Sequence, residues 1–521
     1  MDQIVHIFHK DIRRHWREIV LSLGILALFA WNEPSKWMPR TFRESMFREM
    51  FSGWLAPMVA ISWLFLILRV VHSESLAGDR QFWVTRPYEW KNLLTAKALF
   101  LLTFINVPLF GAQVFLLWKA GFASSRFMTG LLWAQLMWIV ILIVPMTTLA
   151  TVTSSFGQTV LVVLGILLSL IGLSVLSSEI PNPGISILRL IPQWLPTSIL
   201  LGVFVVILVR QYARRKTQQS RLLLIGAAAA VLVITEEMPP QAFTAKAFLQ
   251  PSPGQQLPVQ LSFDPAKPSA AEGVPMKDRV QIRIPLLVSG IAQNSAVSID
   301  GTMIDIEAPG GLHWNSGWNR SFSELLPAQP TTETYFAVDK AFFEQVKSTS
   351  AKVHISFALT AFGPTEVRRV ATTADAFAVP GGALCAIHPE NRDLLRCRSP
   401  LKTPFLAVST RSEETTCLIS GKEKTVPPGT VFYAWNRSWN PTPANFGLSP
   451  VELFDLSFFH WPRMNEDFRA SSLCTGTPLT FSVLEEGQQT KSELTIDGLR
   501  LADYQLMDRG QHATGIGIAI P

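Results

Sequence analysis

Seven apolar runs crowd the first 236 residues, and they restrict what this chain can become more than any other feature. A helix needs roughly 20 apolar residues to cross the hydrocarbon core of a bilayer. Trp54–Leu68, extended to Val71, comes close to that length, as do Ala98–Trp118, Leu131–Ala150 and Thr159–Leu176. Leu195–Val209 is adequate with Trp194 and Arg210 as interfacial ends. Ile19–Trp31 and Leu222–Thr235 are shorter, and they span only with snorkelling flanks or tilt, the alternative being buried or interfacial helices. The expected membrane part is an α-helical polytopic domain of six to seven spans over residues 19–236.

Charge divides the chain at the same place. Residues 1–236 hold 21 Lys and Arg against 11 Asp and Glu, whereas residues 237–521 hold 24 against 28. The basic excess therefore travels with the apolar runs, and no nucleic-acid partner is expected. With the N-terminus inside, the inner segments carry 14 Lys and Arg and the outer loops carry 7. Positive charge accumulates on the cytoplasmic side. An odd number of spans then puts the C-terminal half outside. All four cysteines, Cys385, Cys397, Cys417 and Cys474, lie in that half. An oxidising compartment permits disulfides there. Of the three possible pairings, Cys385–Cys397 with Cys417–Cys474 is favoured, the alternative being four buried thiols. Their spacing is not that of a zinc site, and no metal is expected.

Several segments have a character of their own. Residues 1–18 precede the first run and carry Ile4, Phe8 and Ile12 at four-residue spacing, with Val5 and Trp16 beside them and Lys10, Arg13, Arg14 and Arg17 largely elsewhere. That pattern predicts a basic amphipathic helix, lying on the cytoplasmic face or packed on its own protein, rather than a cleavable signal. Phe42–Phe51 is a second amphipathic stretch, expected flat on the outer surface before the second span. The loop 177–198 is broken by Pro181, Pro183, Pro192 and Pro196, so it cannot be one straight helix. Asn106, Gln113 and Gln135 stand inside spans, where polar groups either line a route or bond neighbouring helices. Pro108 and Pro145 are candidate kinks.

The strip from Glu74 to Lys97, "ESLAGDRQFWVTRPYEWKNLLTAK", separates the second and third runs on the cytoplasmic side. Gly78 breaks the preceding helix, followed by Asp79. Phe82 and Trp83 are flanked by Arg80 and Arg86. Pro87 and Glu89 suit the first turn of the next helix. Aromatics with arginines are typical of docking surfaces, and equally of an interfacial belt.

The order Glu74, Gly78, Pro87, Lys97, together with "HKDIRRHW" in the lead helix and the broken outer loop, resembles the permease subunit of type-2 ABC exporters over residues 1–210. The resemblance implies a pathway formed by two permease subunits and driven by separate ATPase subunits, with Glu74–Lys97 and the N-terminal helix receiving their motion. It also implies the bacterial cytoplasmic membrane. The departures are the seventh span and the large C-terminal part, since the family's usual member has six spans and ends inside. A membrane-anchored exterior binding or sensing module is the alternative. No GxxxxGK[ST], HExxH or GxSxG is present. No catalytic residue and no cofactor are therefore expected, and ATP hydrolysis is assigned to the partner.

Beyond a Pro-rich tether, 237–276, the sequence alternates apolar and polar residues between Gly, Pro and Asp turns, as in "RVQIRIPLLVSG", "KVHISFALTAFG" and "PLTFSVLEE". This predicts short strands in β-sandwiches. Two exterior domains are expected, 277–380 and 381–521, the second with the disulfides. "WNSGWNRS" and "WNRSWN" echo each other as turn sequences, or as a duplicated or carbohydrate-facing patch.

Overall fold

A computed structural model describes residues 2–37, 42–73, 89–165, 168, 194–236, 259–265, 272–273, 278–327, 330–373, 375–388, 394–400, 407–419, 422–426, 428–434, 447–458 and 473–508. The helices occupy the first 236 residues and the strands follow. Each of the seven apolar runs falls at least partly in a helix. Among the described residues, three stretches are long and apolar enough to cross a bilayer: Gly53–His72, Trp90–Lys119 and Ser124–Val152.

The lead helix and the first run form one helix, α1 (Asp2–Asn32), bent at His15, whose φ of −111° and ψ of 20° leave the helical region. Its buried face is Ile7, Asp11, His15, Ile19, Ser22 and Leu26, while Val5 and Trp16 are exposed. The lead therefore packs on its own protein: Phe8 lies against Phe100 and Phe104, with ring centroids 6.3 and 6.1 Å away. The second amphipathic stretch is likewise continuous with the next span, in α2 (Phe42–His72).

The two longest spans share one device. α3 (Trp90–Leu101) passes through a π turn, Leu102–Asn106, into α4 (Val107–Lys119). α5 (Met128–Trp138) passes through a π turn, Ile139–Ile143, into α6 (Val144–Val152). Each π turn ends two residues before a proline, Pro108 or Pro145. Proline lacks the amide for the i−4 carbonyl and its ring crowds that carbonyl. A wider turn relieves both problems without breaking the span. Three further helices follow: α7 (Phe156–Gly165), α8 (Trp194–Arg214) and α9 (Thr217–Glu236). The outer loop before α8 lies outside the described residues up to 193.

Among the described residues, the C-terminal part has two large cores and a small third cluster, and the chain does not build the two large ones in succession. β3 (Arg279–Ser289) is flanked by β1 (Gln260–Phe263) and β6 (Thr331–Asp339) in a three-stranded sheet. The assigned tether therefore contains the strand β1, paired with β3 through Gln260↔Ser289. Two other strands span both cores: β7 (Ala351–Ala371) and β16 (Pro478–Leu499), antiparallel from Ala351↔Leu499 to Ala371↔Pro478. In the first half of β7, Lys352–Phe362 pairs with β4 (Ala296–Ala308), which in turn pairs with β5 (Leu312–Leu325). In the first half of β16, Leu479–Leu484 pairs with β11 (Ala407–Ser412), which pairs with β14 (Thr430–Ala434). The six-stranded sheet thus runs β14-β11-β16-β7-β4-β5 through both halves.

The first lobe encloses Ile282, Ile284, Phe336, Ile304, Ile355, Phe357 and Ile496 between the two sheets. The second encloses Cys385, Leu395, Cys397, Leu456, Leu479 and Phe481. Its smaller sheet orders β15 (Val451–Ser457), β10 (Leu394–Pro400), β9 (Leu384–Ile387) and β8 (Phe377–Ala378). Because β16 returns to close the first core, the second lobe is an insertion between β7 and β16. The expected boundary at 380 falls inside this inserted lobe. It divides neither sheet nor core into successive domains. A single sequence carries no signal for a pairing across 148 residues, and that pairing is what nests one lobe in the other.

Cys385 and Cys397 face each other across β9 and β10 and form a disulfide. Cys474 is also disulfide-bonded. The side chain of Cys417 lies outside those described, so its expected pairing does too. Replacing Cys385 and Cys397 by Ala should lower the stability of the full chain by about 3 kcal/mol, in the range for closing a loop of this length. Denaturant unfolding followed by Trp fluorescence, with and without reductant, checks this; an unchanged midpoint would show that the lobe does not depend on the bridge.

Candidate functional site

The three amides singled out within the spans meet. Asn106 Nδ2 donates to Gln135 Oε1 at 3.1 Å, and Gln135 Nε2 donates to Gln113 Oε1 at 2.8 Å. Gln113 Nε2 donates at 3.3 Å to the carbonyl of Leu448, 335 residues further along the chain. All three amides are buried, at 7%, 8% and 1% exposure. The π turn ending at Asn106 and the helix α5 position the first pair. The chain of donors therefore runs along the bundle from Asn106 to the second lobe. An amide buried among apolar side chains is costly unless bonded. Asn106 Oδ1 has no hydrogen-bond partner among the described residues.

Leu448 and Val451 belong to the same apolar cluster as Leu116, Leu117 and Ala120 at the end of α4. Leu384 Cδ1 lies 3.5 Å from where a Cβ on Gly121 would sit, and Gly121 has φ +87°. The turn after α4 thus uses glycine's conformational freedom where β9 approaches. The second lobe is docked on this end of the bundle.

The opposite end gathers charged and hydroxyl groups. Lys97 Nζ bonds Asp11 Oδ2 at 2.8 Å and Ser73 Oγ at 3.3 Å. Lys97 and Asp11 are 2% and 0% exposed. Arg69 Nε lies 3.4 Å from Glu18 Oε1, and Asn92 Nδ2 donates to Gln3 Oε1 at 2.6 Å. These contacts bind the lead half of α1 to the end of α2 and the start of α3. His72 bonds Thr153 Oγ1 at 3.2 Å, Gln211 Nε2 donates to the Thr151 carbonyl at 3.0 Å, and Arg221 Nε donates to the Val152 carbonyl at 2.9 Å. The segments that the Lys and Arg count assigns to one side therefore converge at one end of the bundle.

Of the expected docking strip, Lys97 is described, and it is buried in the Asp11 pair instead of offered to a partner. Glu74, Gly78, Asp79, Arg80, Phe82, Trp83, Arg86 and Pro87 lie outside the described residues. The Asp11 partner had a readable signal: Asp11 and His15 continue the Ile7, Ile19 face at four-residue spacing, an acid on the inward side of an amphipathic helix. Nothing in the sequence marks Leu448 as the terminus of the amide chain. Among the described residues, no group of three or more His, Cys, Asp or Glu is placed to hold a metal.

No protein-family model matches the chain, and no curated protein matches it. Among solved structures, it is similar to red sea bream transglutaminase at 11% identity, covering 50% of this chain and 33% of that one, with a TM-score of 0.14. It is similar to the C-terminal globular domain of oligosaccharyltransferase from Pyrococcus abyssi at 9% identity, covering 50% of this chain and 57% of that one, with a TM-score of 0.13. The chain spans about a third of the transglutaminase and under two thirds of the second neighbour. Likeness of this degree assigns neither fold nor activity.

Lys97→Met should cost ~3–5 kcal/mol, because it strands a buried carboxylate. Adding Asp11→Leu should recover most of that loss, read as thermal unfolding of the detergent-solubilised chain. Equal stability of wild type and Lys97→Met would remove the pair from the account.

His15 is a separate reporter of the same junction. Burial holds its imidazole below the ordinary value of 6.5, an effect assisted by Lys97 and Arg14 and opposed by Glu18 and Asp11. Above that value the ring is neutral whether folded or unfolded. As pH falls through it, the unfolded chain takes up the proton first, so the folded state loses stability. His15→Gln should flatten the loss between pH 7.5 and 5.5; an unchanged slope would assign it to other groups.

Proposed function

We propose that the chain is a permease subunit of an ABC-type exporter, driven by a separate ATPase subunit and paired with a second permease subunit. The observation that carries this reading is the junction of α1 with α2 and α3. The N-terminal helix is bonded to the base of the third apolar run through the buried Asp11–Lys97 pair. Those are the two segments that the resemblance assigns to receive ATPase motion. Displacement of the Glu74–Lys97 strip would pass into α3 and α1 together, since they are held as one body.

In this reading the chain crosses the bacterial cytoplasmic membrane seven times, with the Asp11–Lys97 end cytoplasmic and both β lobes outside. Two observations support that orientation. The inner-assigned segments converge at one end, and the disulfide-bonded lobe is docked on the other. α8 and α9, with 21 and 20 residues, supply the length for the last two spans. ATP is hydrolysed on the partner, and the permease contributes the coupling surface. The docked lobe also favours a second reading, in which the bundle anchors an exterior binding module and transmits its state; that reading needs no ATPase.

The two readings separate at the strip. Phe82 and Trp83 act as anchors in a pocket of the partner, with Arg80 and Arg86 orienting the dock through carboxylates. Phe82→Ala with Trp83→Ala should leave the chain inserted and weaken capture of the ATPase subunit by about 30-fold, the factor for losing about 2 kcal/mol. Wild-type recovery of the ATPase by the double variant would assign the strip to an interfacial belt and leave the anchored-module reading.

A further inference from the structure

A cleft of about 540 Å³ opens between the start of α3 and the end of α8. Glu89, Trp90, Lys91, Tyr212, Arg214 and Arg215 line it, three bases against one acid. Lys91 and Arg214 are exposed side chains, while Tyr212 is buried. Lys91 Nζ lies 5.8 Å from the Trp90 ring centroid. The N-cap residue of α3, Glu89, makes no side-chain capping hydrogen bond. The first amides of that helix have no intrahelical acceptor and are directed toward this end. A concave site at a helix N-terminus, with a net positive lining among the described residues and two aromatic walls, is suited to a phosphate-bearing anion.

The surface above the cleft narrows the class. Ala213 also lines it, and Val209 and Val205 precede Ala213 by one and two helical turns on the same face of α8. Val209 and Val205 are 40% and 47% exposed. On a helix, residues four apart stack on one side. The cationic head site thus continues directly into an exposed apolar track. On α3, Leu99 is 42% exposed, so apolar surface also rises from the other wall. Trp and Tyr concentrate where a spanning helix meets lipid headgroups, and basic pockets between such helices take anionic headgroups. A free phosphate would use the bases and ignore the track, whereas an amphiphile uses both.

We propose that this cleft is a binding site for an anionic phospholipid, with the phosphate held by Lys91 and Arg214 and an acyl chain lying along Ala213, Val209 and Val205. Glu89, Trp90 and Lys91 belong to the C-terminal end of the Glu74–Lys97 strip, so the test reads lipid directly and keeps ATPase capture as a separate readout.

The full chain, purified in a zwitterionic detergent, is offered phosphatidylglycerol, phosphatidylcholine or inorganic phosphate, and retained lipid is read by native mass spectrometry. Phosphatidylglycerol should be retained over phosphatidylcholine. Lys91→Gln with Arg214→Gln should weaken that preference about 30-fold, the factor for two basic groups near a headgroup at about 1 kcal/mol each. Lys91→Arg should preserve it, and since both residues are exposed, the variants should fold as wild type. Displacement of the lipid by millimolar inorganic phosphate, with no dependence on acyl length, would keep the anion site but give it to free phosphate. Equal retention of both lipids, or retention unchanged in the double variant, would overturn the proposal. Unchanged retention with weakened ATPase capture would assign the cleft to the protein partner instead.

Discussion

A polar side chain inside an apolar helical bundle has no water to fall back on, so its partner must come from the protein. Among the described residues, two of the sets of groups that answer that constraint shape much of the architecture. Asn106, Gln135 and Gln113 bond in sequence across α4 and α5, and the last donor is completed by a carbonyl from the distant second lobe. Asp11 and Lys97 neutralise each other where α1 meets α3. The first set ties the bundle to the β region at one end. The second ties the N-terminal helix to the spans at the other. Removing either partner leaves a buried group unpaired, a larger penalty than the modest net worth of the bond itself.

The nesting of the lobes extends this coupling outward. β7 and β16 run through both sandwiches as a single antiparallel pair. The lobe docked on the bundle is therefore continuous in its main sheet with the first lobe. The Cys385–Cys397 bridge stiffens the lobe at the docking side, adjacent to Leu384 over Gly121. Seen this way, the large C-terminal part is mechanically attached to the bundle, which suits both a transporter with an exterior cap and an anchored sensor.

Much of this was legible in the residues, for physical reasons. A bilayer demands long apolar runs, so the helices announce themselves. Proline's missing amide marks Pro108 and Pro145, and the structure answers each with a π turn. Period-two alternation exposes strands such as β3 and β7. What was hidden depends on partners far apart in the chain. Lys97 reads from the sequence as the end of the Glu74–Lys97 docking strip, and only the inward placement of Asp11, 86 residues earlier, reveals it as half of a buried pair. The insertion of one lobe into the other rests on Ala351 pairing near Leu499, which no local pattern specifies. Leu448 lies in "GLSPV", an ordinary turn sequence, and becomes a bundle residue only through tertiary contact.

The central claim is that the second β lobe is docked into the end of the bundle, where Leu448 completes the amide chain. Oxidative cross-linking of Gln113→Cys with Leu448→Cys in intact membranes tests it most directly, because all other cysteines lie in the C-terminal part and the single variants serve as controls. The account expects rapid formation of an intramolecular 113–448 disulfide in the double variant and none in either single variant. A double variant that cross-links no faster than the single variants, with both native disulfide-bonded sites intact, would show that the lobe is not held there and would contradict the account.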